Sequence, residues 1–185
     1  MKRLFDITVA FMLIIISWPL MLVVGIIIKI DSPGPIFYCR KNNGFINYRI
    51  GKEAKPFYYF KFRSMFIDDE KVTNFGVFIR RWHFDELPEL FLVLTGSMSL
   101  VGPRPRTKNS IIRSHDSYYK SLRVKPGMTG PFQISRHNNT IEEVIYLNNW
   151  YSDNCCFIKD LIIILKTPLA ILRQKEGAKE TLKLI

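Results

Sequence analysis

From Ile7 to Ile28 the chain carries 22 consecutive residues without a charged side chain, flanked by Lys2 and Arg3 on one side and Lys29 on the other. A helix of that length reaches across a bilayer core of about 30 Å, so a purely soluble protein is not expected. No small-residue cleavage site follows the run, only Ile28, Lys29 and Ile30, and a cleaved secretory leader is therefore disfavoured. Pro19 stands in the middle of the run, where it removes a backbone donor and clashes with the carbonyl of Ile15, so a kink is expected. Both flanks are basic, and a straight span would leave one positive end on the far side. A helix that dips in and returns keeps both ends on one side, with the Ser17 hydroxyl near enough to help the carbonyl freed by Pro19. The residues alone leave spanning and re-entrant forms open.

Composition narrows the rest. The chain has 185 residues, 27 basic against 16 acidic, a net charge of +11, and 48% hydrophobic residues, which fits one domain with a real core. Three cysteines, Cys39, Cys155 and Cys156, two of them adjacent, build no disulfide framework, so a reducing compartment is expected.

After the apolar run, Asp31-Ser32-Pro33-Gly34-Pro35 stops the helix, and Ile36-Phe37-Tyr38 reads as a short strand. Phe57 to Arg63 has strand composition and should pair nearby. Phe78, Ile79, Trp82, Leu87, Leu90, Phe91 and Leu94 fall on one helical face, with Pro88 as a break or a new start. Ser99 to Pro105 is expected to be a loop. Phe157 to Leu172 combines many aliphatic residues with Lys159, Asp160, Lys166 and Arg173, and Pro168 interrupts it. It fits a core helix or an amphipathic helix at a membrane surface equally well.

Asp85 and Glu86 are adjacent acids ahead of an apolar helical run, a position that the helix dipole favours without any function. Arg80 and Arg81 lie just upstream. Arg104, Arg106, Lys108, Arg113, Lys120, Arg123 and Lys125 face a single acid, Asp116, across residues 104–125. Such a stretch suits anionic lipid or phosphate, and the apolar run argues against a nucleic-acid partner. Val101-Gly102-Pro103-Arg104-Pro105 holds an arginine in a stiff loop, and Lys125-Pro126-Gly127-Met128-Thr129-Gly130 offers a turn whose N–H groups suit phosphate oxygens. Acids, basic loops and membrane segment together suggest phosphoryl chemistry on a membrane-embedded phosphate, with Mg2+ as the hard ion joining carboxylates to phosphate oxygens. His83, His115 and His137 share no zinc spacing, and Cys155-Cys156 is not a CxxC pair.

These residues resemble the bacterial sugar transferase family, the monotopic phosphoglycosyl transferases that begin surface-glycan assembly on a polyprenol carrier. The resemblance runs through Lys2-Arg3-Leu4-Phe5-Asp6, the apolar run with Pro19, Ser32-Pro33-Gly34-Pro35, Lys61-Phe62-Arg63-Ser64-Met65, Asp85-Glu86-Leu87-Pro88, Gly96 to Pro105, and Pro126-Gly127-Met128-Thr129-Gly130 with Gln133. Ordered motifs matching together are specific where each alone is not. The resemblance implies that Asp85 is the nucleophile on a UDP-sugar, releasing UMP, and that undecaprenyl phosphate then takes the phosphosugar. It implies Glu86, with Asp85 beside it, as the Mg2+ site, and Arg80, Arg104, Lys125 and Arg136 as substrate-binding residues. It also implies an α+β fold: a re-entrant membrane helix over residues 1–29, then a small, mainly helical catalytic domain with a short β-hairpin over residues 30–185, aided by interfacial amphipathic helices. The enzyme would sit at the cytoplasmic face of the bacterial inner membrane, against inner-leaflet lipids.

The chain departs from the family pattern at Trp18, Arg40, Asn42, Glu89, Leu92 and Lys125, and the segment Ser135-Arg136-His137 after Gln133 is compressed. Lys125 exchanges a guanidinium fork for a point charge. The sugar, the downstream glycan and the oligomeric state stay open. A UDP-sugar hydrolase and a catalytically silent membrane-surface binding module are the competing readings.

Overall fold

The computed structural model describes residues 1–38, 48–67, 71–113, 116–135 and 140–183. Cys39, Arg40, Asn42, His115, Arg136 and His137 lie outside the described residues.

Helix α1 runs from Lys2 to Asp31 and continues through Pro19. Ser17 Oγ donates to Leu13 O at 2.6 Å and not to the Ile15 carbonyl that Pro19 leaves behind. This is the ordinary back-bond of a helical serine to the fourth residue before it. Ile15, Ile16, Trp18 and Leu20, around the proline, are all exposed. Both ends of α1 dock on the rest of the chain. At the start, Lys2 Nζ lies 2.5 Å from Asp160 Oδ2, Arg3 donates to Val93 O at 2.5 Å and Leu94 O at 2.7 Å, and buried Asp6 accepts from Ser99 Oγ at 2.8 Å. At the end, Arg63 donates to Ser32 O and Pro33 O, each at 2.7 Å.

Strands β1 (Tyr48–Ile50) and β2 (Pro56–Tyr58) form an antiparallel hairpin, with Arg49 opposite Phe57. Phe37 bridges Phe62 next to it. The helical stretch expected after Val77, with Pro88 as a break or a new start, is two helices: α2 (Asn74–Arg81), capped by the Thr73 side chain, and α3 (Glu89–Thr95), for which Pro88 is the start. Ser99–Val101, expected as loop, is strand β3, paired in parallel with β4 (Gly127–Thr129). Helix α4 (Lys108–Arg113) leads toward β4, and α5 (Pro131–Ile134), α6 (Ile141–Asn154) and α7 (Phe157–Lys183) complete the chain. A capping box between Thr140 and Glu143 starts α6. Pro168 does not interrupt α7.

The central core packs Leu90, Val93, Met98, Leu100 and Val101 against Ala10 of α1, Tyr151 of α6 and Ile163 of α7. A second cluster joins Val24 and Ile28, near the far end of α1, to Phe62 and Ile79. Truncating Ile79, which is fully buried, to alanine would cost about 3 kcal/mol. The fold is mixed and mainly helical with two small sheets, and α1 is long and apolar enough to cross a membrane.

Candidate active site

Backbone geometry fixes the acid pair. His83 ends α2 in the left-handed region, at φ 56°, a strained conformation for a residue with a side chain, and starts the 3-10 turn Phe84–Glu86. Packing holds that turn in place: the Phe84 ring stacks on Trp82 at 6.3 Å and meets Phe78 edge-on at 6.1 Å. The Asp85 carbonyl accepts from Phe62 N at 2.9 Å, which ties the turn to the segment after β2.

The two carboxylates then face different cations. Asp85 is 3% exposed, and its Oδ2 lies 3.2 Å from Lys61 Nζ. Burial pushes the Asp85 carboxyl above its usual value, and Lys61 opposes the rise. Glu86 Oε1 lies 2.6 Å from Arg104 Nη2, and its Oε2 lies 3.6 Å from His83 Nδ1. Burial opposes ionisation there too, yet His83 and Arg104 hold the Glu86 carboxyl down at about 2. The Glu86 charge in turn raises the Arg104 guanidinium. One helical turn on, buried Glu89 accepts a hydrogen bond from Tyr59. Burial and the Glu86 charge push its carboxyl up to about 8, so it keeps its proton at neutral pH.

Of the six expected site residues, the structure brings together Asp85, Glu86 and Arg104. Arg80 turns to Ser64 Oγ, at 2.7 Å, and to neither acid. Lys125 Nζ lies beside Gly96 and the Arg3 guanidinium, near the start of α1, where burial and Arg3 lower its basicity. Arg136 lies outside the described residues. The glycine turn does not cradle phosphate with the N–H groups of Gly102 and Gly127, which donate to Thr129 O and Pro103 O, each at 2.9 Å. A Cβ on Gly127 would come within 2.0 Å of Gly102 N, so glycine is needed there for close strand approach. Lys61, His83, Glu89 and Tyr59 were missed as site residues, although Lys61 stood in a quoted motif and Glu89 was a noted departure.

A cavity of about 520 Å³ adjoins the pair. Val9 and Leu13 of α1, Leu90 of α3, Phe132 of α5, and Ile164 and Ile171 of α7 are among its apolar walls. Glu86, Arg104 and His83 line it too, while Asp85 and Lys61 do not. Among the described residues no group of three or more histidine, cysteine or acidic side chains could hold a metal. Mg2+ needs no such cage, since it is commonly bound through one or two carboxylates and substrate phosphates, and ionised Glu86 fits that role.

Comparison with known proteins gives the same direction. Residues 1–174 match the family described as bacterial sugar transferase. The chain is 34% identical over 206 residues to the undecaprenyl-phosphate galactose phosphotransferase of Salmonella typhimurium, covering 96% of this chain and 41% of that protein. It is 33% identical to the UDP-glucose:undecaprenyl-phosphate glucose-1-phosphate transferase of Xanthomonas campestris pv. campestris, covering 94% and 39%. An uncharacterized sugar transferase, EpsL, of Bacillus subtilis is 34% identical, covering 98% and 91%. The chain thus spans well under half the length of the first two relatives and nearly all of the third.

Proposed function

Because the chain belongs to the bacterial sugar transferase family, we propose that it moves a phosphosugar from a UDP-sugar to undecaprenyl phosphate at a membrane surface. The observation that carries this reading is the division of the acid pair: Asp85 is buried against Lys61, and Glu86 faces Arg104 at an otherwise largely apolar cavity.

In the first half-reaction an Asp85 oxygen attacks the sugar-bearing phosphorus of the UDP-sugar. The phosphorus–oxygen bond to UMP breaks, UMP departs, and an acyl phosphate joins Asp85 to the sugar. Lys61 favours the ionised form of Asp85 against the cost of its burial. In the second, a phosphate oxygen of undecaprenyl phosphate attacks the same phosphorus, the acyl phosphate breaks, and the carboxylate is restored beside a polyprenyl diphosphosugar. Arg104 places a guanidinium at the phosphates. Glu86 would hold Mg2+, which supplies neutralisation of the diphosphate charge when bound.

Residues 1–29 form the membrane segment and residues 30–185 the catalytic domain. The docking of both ends of α1 on that one domain supports a re-entrant helix whose exposed apolar middle enters the lipid. Ile158, Ile162, Leu165, Leu169 and Leu172 leave an exposed apolar stripe on α7, which supports an interfacial position. On this reading the site lies at the cytoplasmic face of the inner membrane, where a soluble nucleotide and a lipid phosphate meet, at the first membrane step of surface-glycan assembly.

The test is UMP release from a panel of UDP-sugars with Mg2+, with and without undecaprenyl phosphate. Sustained release that requires the lipid, with phosphosugar on the lipid, is the expected result. Sustained release that ignores the lipid makes the protein a hydrolase, and no release from any sugar leaves a binding module.

A further inference from the structure

Asp85 and Glu86 are neighbours in sequence, yet only Glu86 looks into the cavity. Lys61 and Asp85 stand off the cavity wall. Along its walls the hydroxyls of Thr129 and Thr167 pair at 2.7 Å, Ser135 Oγ donates to Phe132 O at 2.6 Å and Gln133 Nε2 donates to Met128 O at 3.4 Å, so the charged groups on the wall are Glu86 and Arg104, with His83 beside them. A guanidinium has five N–H donors, and Glu86 engages the Nη2 group at 2.6 Å, which leaves Arg104 capacity for an entering anion. Its side chain is 41% exposed, within reach of a ligand.

The other end of the cavity meets surface that water does not suit. Leu13 and Pro168 line the cavity and are themselves exposed, so it opens between α1 and α7. Outward neighbours include apolar Met12 and Ile16 on α1 and Leu165 and Leu169 on α7, with Leu165 79% exposed and exposed Lys166 beside it. An apolar cavity that runs from lipid-facing helices to one guanidinium matches an amphiphile with a single long chain and a terminal phosphate. A phosphate monoester carries close to two charges at neutral pH, which suits a guanidinium better than the single charge of a diacyl phosphodiester.

We propose that the cavity between α1 and α7 seats the polyprenyl chain of the lipid-phosphate acceptor, with its phosphate at Arg104, so that the acceptor reaches the phosphorus held by Asp85 from the place that UMP vacates. This rests on the transferase reading for the identity of the lipid, and the cavity itself is an independent observation. Two consequences follow from the geometry. The donor half-reaction proceeds with the cavity blocked, and the acceptor step depends on chain length, because only a chain that reaches past Leu13 and Ile171 contacts both walls.

The experiment uses the full chain in detergent and a polyprenyl phosphate with a diazirine on an isoprene unit beyond the second. Photolabel is expected on peptides from α1 and α7 that contain residues 9–13 and 164–171. Leu13→Trp and Ile171→Trp fill the cavity from opposite walls, so a folding failure of one leaves the other. Each should cut labelling at least fivefold and raise the KM for a long polyprenyl phosphate at least tenfold. The KM for a two-isoprene phosphate, and the single-turnover release of UMP without acceptor, should stay within twofold. Label elsewhere, labelling unchanged in both variants, or equal competition by a diacyl phospholipid overturns the proposal. If the unsubstituted protein releases no UMP but labels at α1 and α7, the transferase reading fails and the lipid-phosphate site stands.

Discussion

Lys61 Nζ stands 3.2 Å from Asp85 Oδ2, and it opposes, more strongly than His83 does, the rise that burial imposes on the Asp85 carboxyl. A nucleophilic carboxylate must be ionised, so the pair sets the lower edge of the working pH range. Removing Lys61 raises the Asp85 carboxyl further. Lys61→Met should therefore move the acidic limb of the pH–rate profile upward, with activity recovering toward high pH. A variant whose rate falls equally at every pH would mean that Lys61 acts on the substrate and not on Asp85.

Arg104 and Glu86 form a partly buried pair, 2.6 Å apart, in which removal of one partner strands the other. Arg104→Gln should lower stability by about 2 kcal/mol, at the modest end for such a pair because the guanidinium is partly exposed. The double variant Arg104→Gln with Glu86→Gln should recover about half of that loss. Thermal unfolding of the two single variants and the double variant measures the coupling, and simple additivity would deny it.

Glu89 gives a stability prediction with a definite sign. Its carboxyl is raised to about 8 in the fold from 4.5, so between those values the folded chain keeps a proton that the unfolded chain has released. Stability from this group is fully present below pH 4.5 and falls as pH rises toward 8. Glu89→Gln keeps an acceptor for Tyr59 and cannot ionise. The variant should match the parent within about 1 kcal/mol at pH 4.5 and exceed it by a margin that grows from there to pH 8. Chemical denaturation across pH decides this, and parallel pH curves would refute the assignment.

How much of this was open to reading in the sequence depends on the scale of the interaction. The 22-residue apolar run, the hairpin residues around Phe57 and the acid pair were legible because length, alternation and charge are local properties. The break after α2 was not, since it depends on His83 taking a left-handed turn that tertiary packing of Phe84 and Trp82 enforces. Strand β3 carries no such signal because its parallel partner lies 28 residues on and its three residues, all buried, are too few to show a period. Lys125 looked like a phosphate ligand in a basic run, but its direction is set by the Arg3 and Gly96 side of the fold. Glu89 showed only as an unusual acid, because its significance lies in Tyr59, 30 residues earlier.

The two docked ends of α1 predict a topology that can be measured. Leu4 and Ile30 are exposed, at 71% and 80%, beside the opposite ends of the apolar run. In a background with the native cysteines replaced, Leu4→Cys and Ile30→Cys in sealed vesicles should both react with an impermeant maleimide from the same side. Reaction from opposite sides would establish a spanning helix instead.

The most direct measurement is intact-mass analysis of the protein after incubation with its UDP-sugar donor and Mg2+ in the absence of lipid phosphate, followed by peptide mapping. The account predicts one phosphosugar adduct on the peptide that carries Asp85, discharged by undecaprenyl phosphate and absent from Asp85→Asn, which should remain folded. A protein that carries no adduct and releases UMP only once the lipid is added would contradict it, because the phosphosugar would then pass directly from donor to acceptor.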